Sequence, residues 1–156
     1  MAKKTIILKN YLNNFVEYVA AAAITPGHFV ELASATTVQV HSTAGGNILP
    51  MVAIENALEG EGIADAYAAD DRVRCWIPQR GDEVYGLLSD GESVSVGDFL
   101  ESAGDGTLQK HVVDSFSASE SVVVSGNQIV AQALEAVDMS DSSGADPSGR
   151  IKVRIV

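Results

Sequence analysis

The groups able to bind a metal or move a proton are three histidines, His28, His41 and His111, one cysteine, Cys75, and twenty-one acidic side chains. The histidines show no His-x-His or His-x-x-x-His pairing, so their spacing offers nothing to zinc. Asp138-Met-Ser-Asp-Ser-Ser-Gly-Ala-Asp-Pro-Ser-Gly149 is rich in oxygen ligands and invites a calcium reading. It lacks the acidic spacing and terminal Glu of an EF-hand loop, and reads as a solvated loop. Asp70-Asp71 and Glu59-Gly-Glu61 are paired carboxylates, but general acid–base work needs one of a pair buried with its pKa raised. Their Gly and Ala neighbours place them on open loops. Neither a Gly-x-Ser-x-Gly elbow nor a phosphate-cradling Gly-rich loop with Lys is present. Catalytic residues, metals and cofactors are therefore not expected.

Other residues carry contact chemistry instead. Arg80-Gly-Asp82 spells an integrin-binding tripeptide, but between Ile77-Pro78 and Val84-Tyr85 it reads as a tight turn. Cys75 lies in Val73-Arg-Cys-Trp-Ile77 and reads as a small buried hydrophobe, with no His beside it to make a reactive thiol. Trp76 falls on the polar face of that strand, which makes it either a candidate subunit-interface anchor or a residue covered on a strand buried on both faces of a barrel-like fold. Tyr67, Tyr85 and Trp76 together could form the stacking platform of a carbohydrate-binding or adhesin-like β module. An aromatic content of 6% is thin for that role.

The elements that must position these residues are short strands. Val38-Gln-Val-His41, Arg72-Val-Arg-Cys-Trp-Ile77 and Arg150-Ile-Lys-Val-Arg-Ile-Val156 alternate apolar with polar, the pattern of antiparallel sheet with one wet face. Turns at Gly45-Gly46, Gly60-Glu-Gly62, Gly81-Asp82, Asp90-Gly91, Gly104-Asp-Gly106 and Gly126-Asn127 recur at barrel or sandwich spacing. Helix signals are limited to possible single turns at 56–59 and 133–136. Tyr11 to Ala23 has alanines but no capping box and no apolar stripe, and is read as extended.

One phrase is written twice. Ile24-Thr-Pro-Gly-His-Phe-Val-Glu-Leu32 is answered by Val94-Ser-Val-Gly-Asp-Phe-Leu-Glu-Ser102. Val52-Ala…Ala-Leu-Glu59 and Val130-Ala-Gln-Ala-Leu-Glu135 follow, then the strands opening at Arg72 and Arg150. The offset grows from 70 to 78, which assigns an eight-residue gain to the loop-like 103–128 region. Each half is too small to bury its own apolar face. The expected architecture is mainly β: an antiparallel β-barrel or sandwich made of two similar halves, with an extended N-terminal arm. Residues 1–23 are the arm and 24–156 the β domain, with internal repeats 24–79 and 94–156.

The net charge of −11 argues against nucleic acid as a direct partner. It is unevenly spread: residues 1–16 hold Lys3, Lys4 and Lys9 and no acid, while the rest holds 7 basic and 21 acidic side chains. Arm and body are suited to different surroundings. No apolar stretch approaches the ~20 residues of a membrane span, so no membrane partner is expected. Lys9-Asn10 interrupts Thr5-Ile-Ile-Leu8 too early for a signal peptide, which points to synthesis in a cytoplasm.

Val19-Ala-Ala-Ala-Ala-Ile-Thr-Pro-Gly-His-Phe-Val-Glu-Leu32, Gly81-Asp-Glu-Val-Tyr85, Val94-Ser-Val-Gly-Asp-Phe-Leu100, Gly106-Thr-Leu108 and Ile129-Val-Ala-Gln-Ala-Leu-Glu135 form a layout with a known likeness. It resembles the small capsid decoration, or cement, proteins of tailed bacteriophages, over roughly residues 24 to 137. These motifs are turn-and-strand grammar rather than chemistry. His28 stands where that family usually has Asp, and the 112–128 insert and 138–149 loop are longer. The resemblance implies a structural, non-enzymatic β protein on the exterior of the virion capsid, often a homotrimer, whose partner is the major capsid protein. Its role would be to stabilise the mature shell against the pressure of packaged DNA. The arm, Lys3, Lys4, Thr5, Ile6, Ile7, Leu8, Lys9 and Tyr11, would reach across coat subunits, adding a strand to a coat sheet edge.

Overall fold

The computed structural model describes residues 3–113, 126–141 and 149–156. Among them there is no helix, and every regular element is a strand: β1 Ile7–Lys9, β2 Phe15–Ala20, β3 Val30–Leu32, β4 Thr37–Val40, β5 Val52–Ala53, β6 Arg72–Trp76, β7 Glu83–Leu87, β8 Ser93–Val94, β9 Phe99–Ser102, β10 Leu108–Lys110, β11 Ala131–Ala133, β12 Val137–Asp138 and β13 Arg150–Ile155. The alternation read from the sequence is the cause. On β13, Ile151, Val153 and Ile155 are buried, while Arg150, Lys152 and Arg154 point the other way.

The strands form a five-stranded sheet, β3-β4-β2-β6-β5, a six-stranded sheet, β1-β7-β13-β11-β9-β10, and the small pair β12-β8. Pairing between the named strands is antiparallel except between β2 and β4, and the isolated Leu88–Leu108 bridge is parallel too. The layers pack in a sandwich-like arrangement. One bridge in each large sheet draws outer strands together, Phe29 to Val52 in the first and Leu88 to Leu108 in the second.

The two large sheets repeat several of one another's hydrogen bonds. Gly27 N donates to the Ala53 carbonyl and Gly97 N to that of Ala133, at 2.8 and 2.9 Å. His41 N donates to Phe29 O, as His111 N does to Phe99 O. Ala20 pairs in parallel with Val38, as Leu88 does with Leu108. Thus β2 corresponds to β7, β3 to β9, β4 to β10, β5 to β11 and β6 to β13. These bonds correct the sequence register in one place. Ala53 answers Ala133, an offset of 80, where the Val-Ala motif suggested 78. Val52-Ala53 and Val130-Ala131 look alike because both begin buried strands, and hydrogen bonding, not composition, sets register.

Apolar burial ties the halves together. One core cluster takes Ile6, Phe29, Ile48, Val52, Ile54 and Trp76 from the first part of the chain, and packs them against Val84, Leu88, Leu100, Leu108, Ile151, Val153 and Ile155. A second cluster, including Ile24, Val30, Val38, Met51, Val73 and Cys75, lies within the first half. β5 and β6 are covered on both faces, so Ala53 and Cys75 serve one cluster while Val52 and Trp76 serve the other.

The segment read as an arm is extended, as expected, but it is not separate. β2 is the middle strand of the five-stranded sheet, paired with β6 along five residues from Phe15↔Trp76 to Val19↔Arg72. β1 crosses to the other half and pairs with β7, placing Ile7 opposite Val84. Ile6, 0% exposed, enters the shared core there. An apolar strand meets an open edge of its own chain, and the burial of Ile6 holds it in place.

Candidate functional site

The leader residues divide by exposure. Lys3 lies 3.6 Å from Glu135 and 5.1 Å above the Tyr85 ring. The Thr5 hydroxyl donates to Glu55, whose other oxygen accepts from Ile6 N at 3.1 Å. Ile7 and Leu8 are half-buried along β7. Lys4 and Lys9 are exposed. Tyr11 is 87% exposed, its backbone N held 2.8 Å from Asp82 Oδ1. Leu12 and Phe15 are also exposed, and the Arg74 guanidinium lies 5.9 Å from the Phe15 ring. Tyr11, Leu12 and Phe15 thus put apolar surface on the connection from β1 to β2, flanked by Lys9. Exposed apolar side chains of this kind offer area for contact.

Trp76 is not part of any surface. It is 0% exposed, its indole Nε1 3.4 Å from the Leu12 carbonyl, and it packs in the shared core. The interface assignment is therefore corrected: the Trp76 end of that β6 face is covered by the shared core, while Arg72 at its other end stays exposed. Tyr67 is also buried, with its hydroxyl donating to Ile54 O at 2.8 Å, and burial pushes its pKa up to about 12. Lys3 and Arg150 approach the Tyr85 ring. The three aromatics form no platform. Burial likewise pushes the Cys75 thiol up to about 12, so it is neutral and closed to reagents. Asp82, 3% exposed, accepts from Tyr11 N and Gln79 N, so Arg80-Gly-Asp82 is a stapled turn rather than a presented tripeptide.

The sequence reading missed one polar constellation. His41 Nδ1 lies 2.7 Å from Ser102 Oγ, and its Nε2 lies 3.2 Å from Asn47 O and 3.6 Å from Glu31 Oε2. Glu31 accepts from Gln39 at 2.8 Å and from the Ser42 hydroxyl at 2.7 Å. Partial burial opposes its ionisation, but these hydrogen bonds and His41 outweigh it and hold the carboxyl below the usual range. The same trio recurs in the second half: Gln109 donates to Glu101 at 2.9 Å, and His111 Nδ1 lies 2.5 Å from Glu101. The 70-residue offset of His41 and His111, and of Gln39 and Gln109, was the available signal. Ser, His and Glu in a row evoke acyl transfer, but His41 and Ser102 are 1% and 0% exposed. No substrate carbonyl reaches that hydroxyl, which also accepts from Gly104 N at 3.2 Å. The group fastens the halves to each other.

Two grooves are open on the first half. One, about 460 Å³, is lined by Glu17, Glu59, Glu61, Asp71, Arg72 and Arg74 among others, a mixed-charge surface with no buried acid to act as a catalyst. The other, about 340 Å³, lies between β2 and the β3–β4 turn, with Arg72 at its side. Among the described residues no group of three or more His, Cys, Asp or Glu side chains is placed to hold a metal. Most of the 138–149 loop lies outside the described residues. No described helix is long and apolar enough to cross a membrane.

No family model matches the chain, and no curated protein matches it. Among solved structures it is similar to the N base of head fibre gp8.5 in bacteriophage phi29. The similarity covers 93% of this chain and 95% of that one, with a TM-score of 0.53 and 11% identity. At that identity the likeness concerns the fold. The chain therefore shares a two-sheet β architecture, over nearly its whole length, with a component of a phage head fibre.

Proposed function

We propose that this protein is a structural component of a tailed-phage head: a decoration protein that binds the outer surface of the mature capsid and braces it against internal DNA pressure. The observation that carries this reading is the end-to-end fold likeness to a head-fibre base. The surface chemistry agrees with it. A chain of net charge −11, with its acidic side chains all in the body, stays soluble facing outward. The exposed Tyr11, Leu12 and Phe15, which follow Lys9 along the chain, offer a coat subunit apolar area. The major capsid protein is the partner. A homotrimer would engage several coat subunits at once, so weak contacts multiply through effective concentration. Nothing favours the carbohydrate-binding alternative, because Trp76 and Tyr67 lie in the core.

The test is co-sedimentation of the purified protein with emptied, expanded shells of a tailed phage whose genome encodes it. Saturable binding that raises the temperature at which shells rupture is expected. Absence of binding to such shells would overturn the reading.

A further inference from the structure

The repeat leaves one contact made once where it could be made twice. Within the chain, the Pro26–Phe29 turn docks on the second half. Arg150 Nη1 donates to Pro26 O at 2.8 Å, Leu87 N to Gly27 O at 3.1 Å, and Phe29 N to Gly106 O at 2.8 Å. The Phe29 ring lies over Gly86, where an added Cβ would sit 3.3 Å from it. Pro26, Gly27 and Phe29 are all buried.

The matching turn of the second half, Val96–Phe99, meets only its own half: its Gly97 carbonyl accepts from Gln132 Nε2 at 3.1 Å, and Asp98 pairs with Lys110 at 2.8 Å. Val96 is 67% exposed and Phe99 46%, where Phe29 is 0%. A Cβ on Gly27 would strike Arg150 at 2.4 Å; one on Gly97 would meet nothing within 4 Å. Val112 is exposed as well, following His111, the residue whose N bonds Phe99 O.

The receiving surface has a counterpart too. By the strand equivalences, Tyr85, Gly86, Leu87, Gly106 and Arg150 correspond to Glu17, Tyr18, Val19, Thr36 and Arg72. Those five line the 340 Å³ groove together with Ala35. We propose that the Val96–Phe99 turn of one copy docks in the Glu17–Val19, Thr36 and Arg72 groove of the next, head to tail, repeating between chains the contact that joins the halves within one.

Two differences make the docking shallower. Tyr18 stands where Gly86 leaves room for Phe29, and Val19 N is already bonded to Thr36 O at 3.0 Å. The incoming turn is therefore held by side chains: Phe99 against the Tyr18 ring, and Arg72, whose side chain is 78% exposed, towards the Val96 carbonyl. A head-to-tail contact that closes gives a ring. Only the count of three rests on the decoration reading; the contact itself does not.

The test uses the full chain without shells, measuring mass by light scattering across concentration. Wild type gives a multiple of 16.3 kDa. Phe99→Asp, which spoils the turn, and Ala35→Arg, which fills the groove, each fall to the mass of one chain. Both positions are exposed, and circular dichroism matching wild type shows that the variants fold. Mixed in equal amounts, the two variants give a species of two chains, because one intact turn meets one intact groove. A monomeric wild type, an unchanged mass for Phe99→Asp, or a mixture that stays monomeric overturns the proposal. So does a monomeric wild type whose shell binding is lost in Phe99→Asp, which would assign the turn to the coat and leave the decoration reading standing.

Discussion

Glu83 and Arg154 face each other across β7 and β13, and the Arg154 guanidinium donates to the nearly buried Glu83 carboxylate at 3.0 Å. Lys152, two residue pairs away, reaches the other oxygen at 2.8 Å. Hydrogen bonds from Lys152 and Arg154 hold the Glu83 carboxyl below the usual carboxylate range. Its folded pKa is depressed, so its contribution is complete above the unfolded value of about 4.3 and is lost as pH falls through the lower folded value. Glu83→Gln should cost about 1–2 kcal/mol at pH 7, discounted for the partial exposure of both cations. Urea titrations at pH 7, 4 and 3 should show the gap between wild type and variant closing as pH drops.

Gly27 and Gly97 hold the same backbone shape, with φ of 99° and 92°, in different surroundings. Gly97→Ala should cost about 1–2 kcal/mol, the strain of a positive φ alone. Gly27→Ala adds a collision with Arg150 and should cost more by at least about 1 kcal/mol. Thermal unfolding of the two variants side by side measures the difference.

Ile6 converts the leader from an attachment into a part of the core. Ile6→Ala should lose about 2–5 kcal/mol. Deleting residues 1–9 would therefore weaken shell binding through the fold alone. Tyr11→Asp is the cleaner variant, since the side chain is free in solution and the Asp82 contact uses its backbone. It should leave the denaturation midpoint within about 0.5 kcal/mol of wild type and lower co-sedimentation with shells.

Cys75 and Trp76 report on the interior from adjacent positions. Cys75 should resist thiol reagents at pH 8 in the native state and react fully in urea. Trp76→Ala should cost about 3–5 kcal/mol. Trp76→Phe should keep most of the stability and leave the mass in solution unchanged, the opposite of an interface anchor.

The β class and the duplication were legible because alternation and Gly turns are local, and Gly27 and Gly97 mark the same turn twice. The sequence leaves Trp76 open, between an interface and a second covered face. One strand's alternation reports one covered face, and the second cover comes from residues far along the chain. β1 escaped for the same reason: Thr5-Ile-Ile-Leu8 reads as a sticky edge strand, and nothing local says that its edge lies at Val84. The polar fasteners failed differently. Short-range histidine spacing reports only metal pairs, whereas His41 and Ser102 meet across 61 residues.

The return of β1 to β7 also dictates an order of assembly. During synthesis Ile7 leaves the ribosome 77 positions ahead of Val84, its partner. At about 5–20 residues per second, that is on the order of 4–15 s in which Ile6 has no native place to go. β2 can meanwhile join β4 and β6, so the five-stranded sheet is free to form first. The opening strand can pair only after β7 has emerged, and the core around Ile6 is complete only once β13 brings Ile151, Val153 and Ile155.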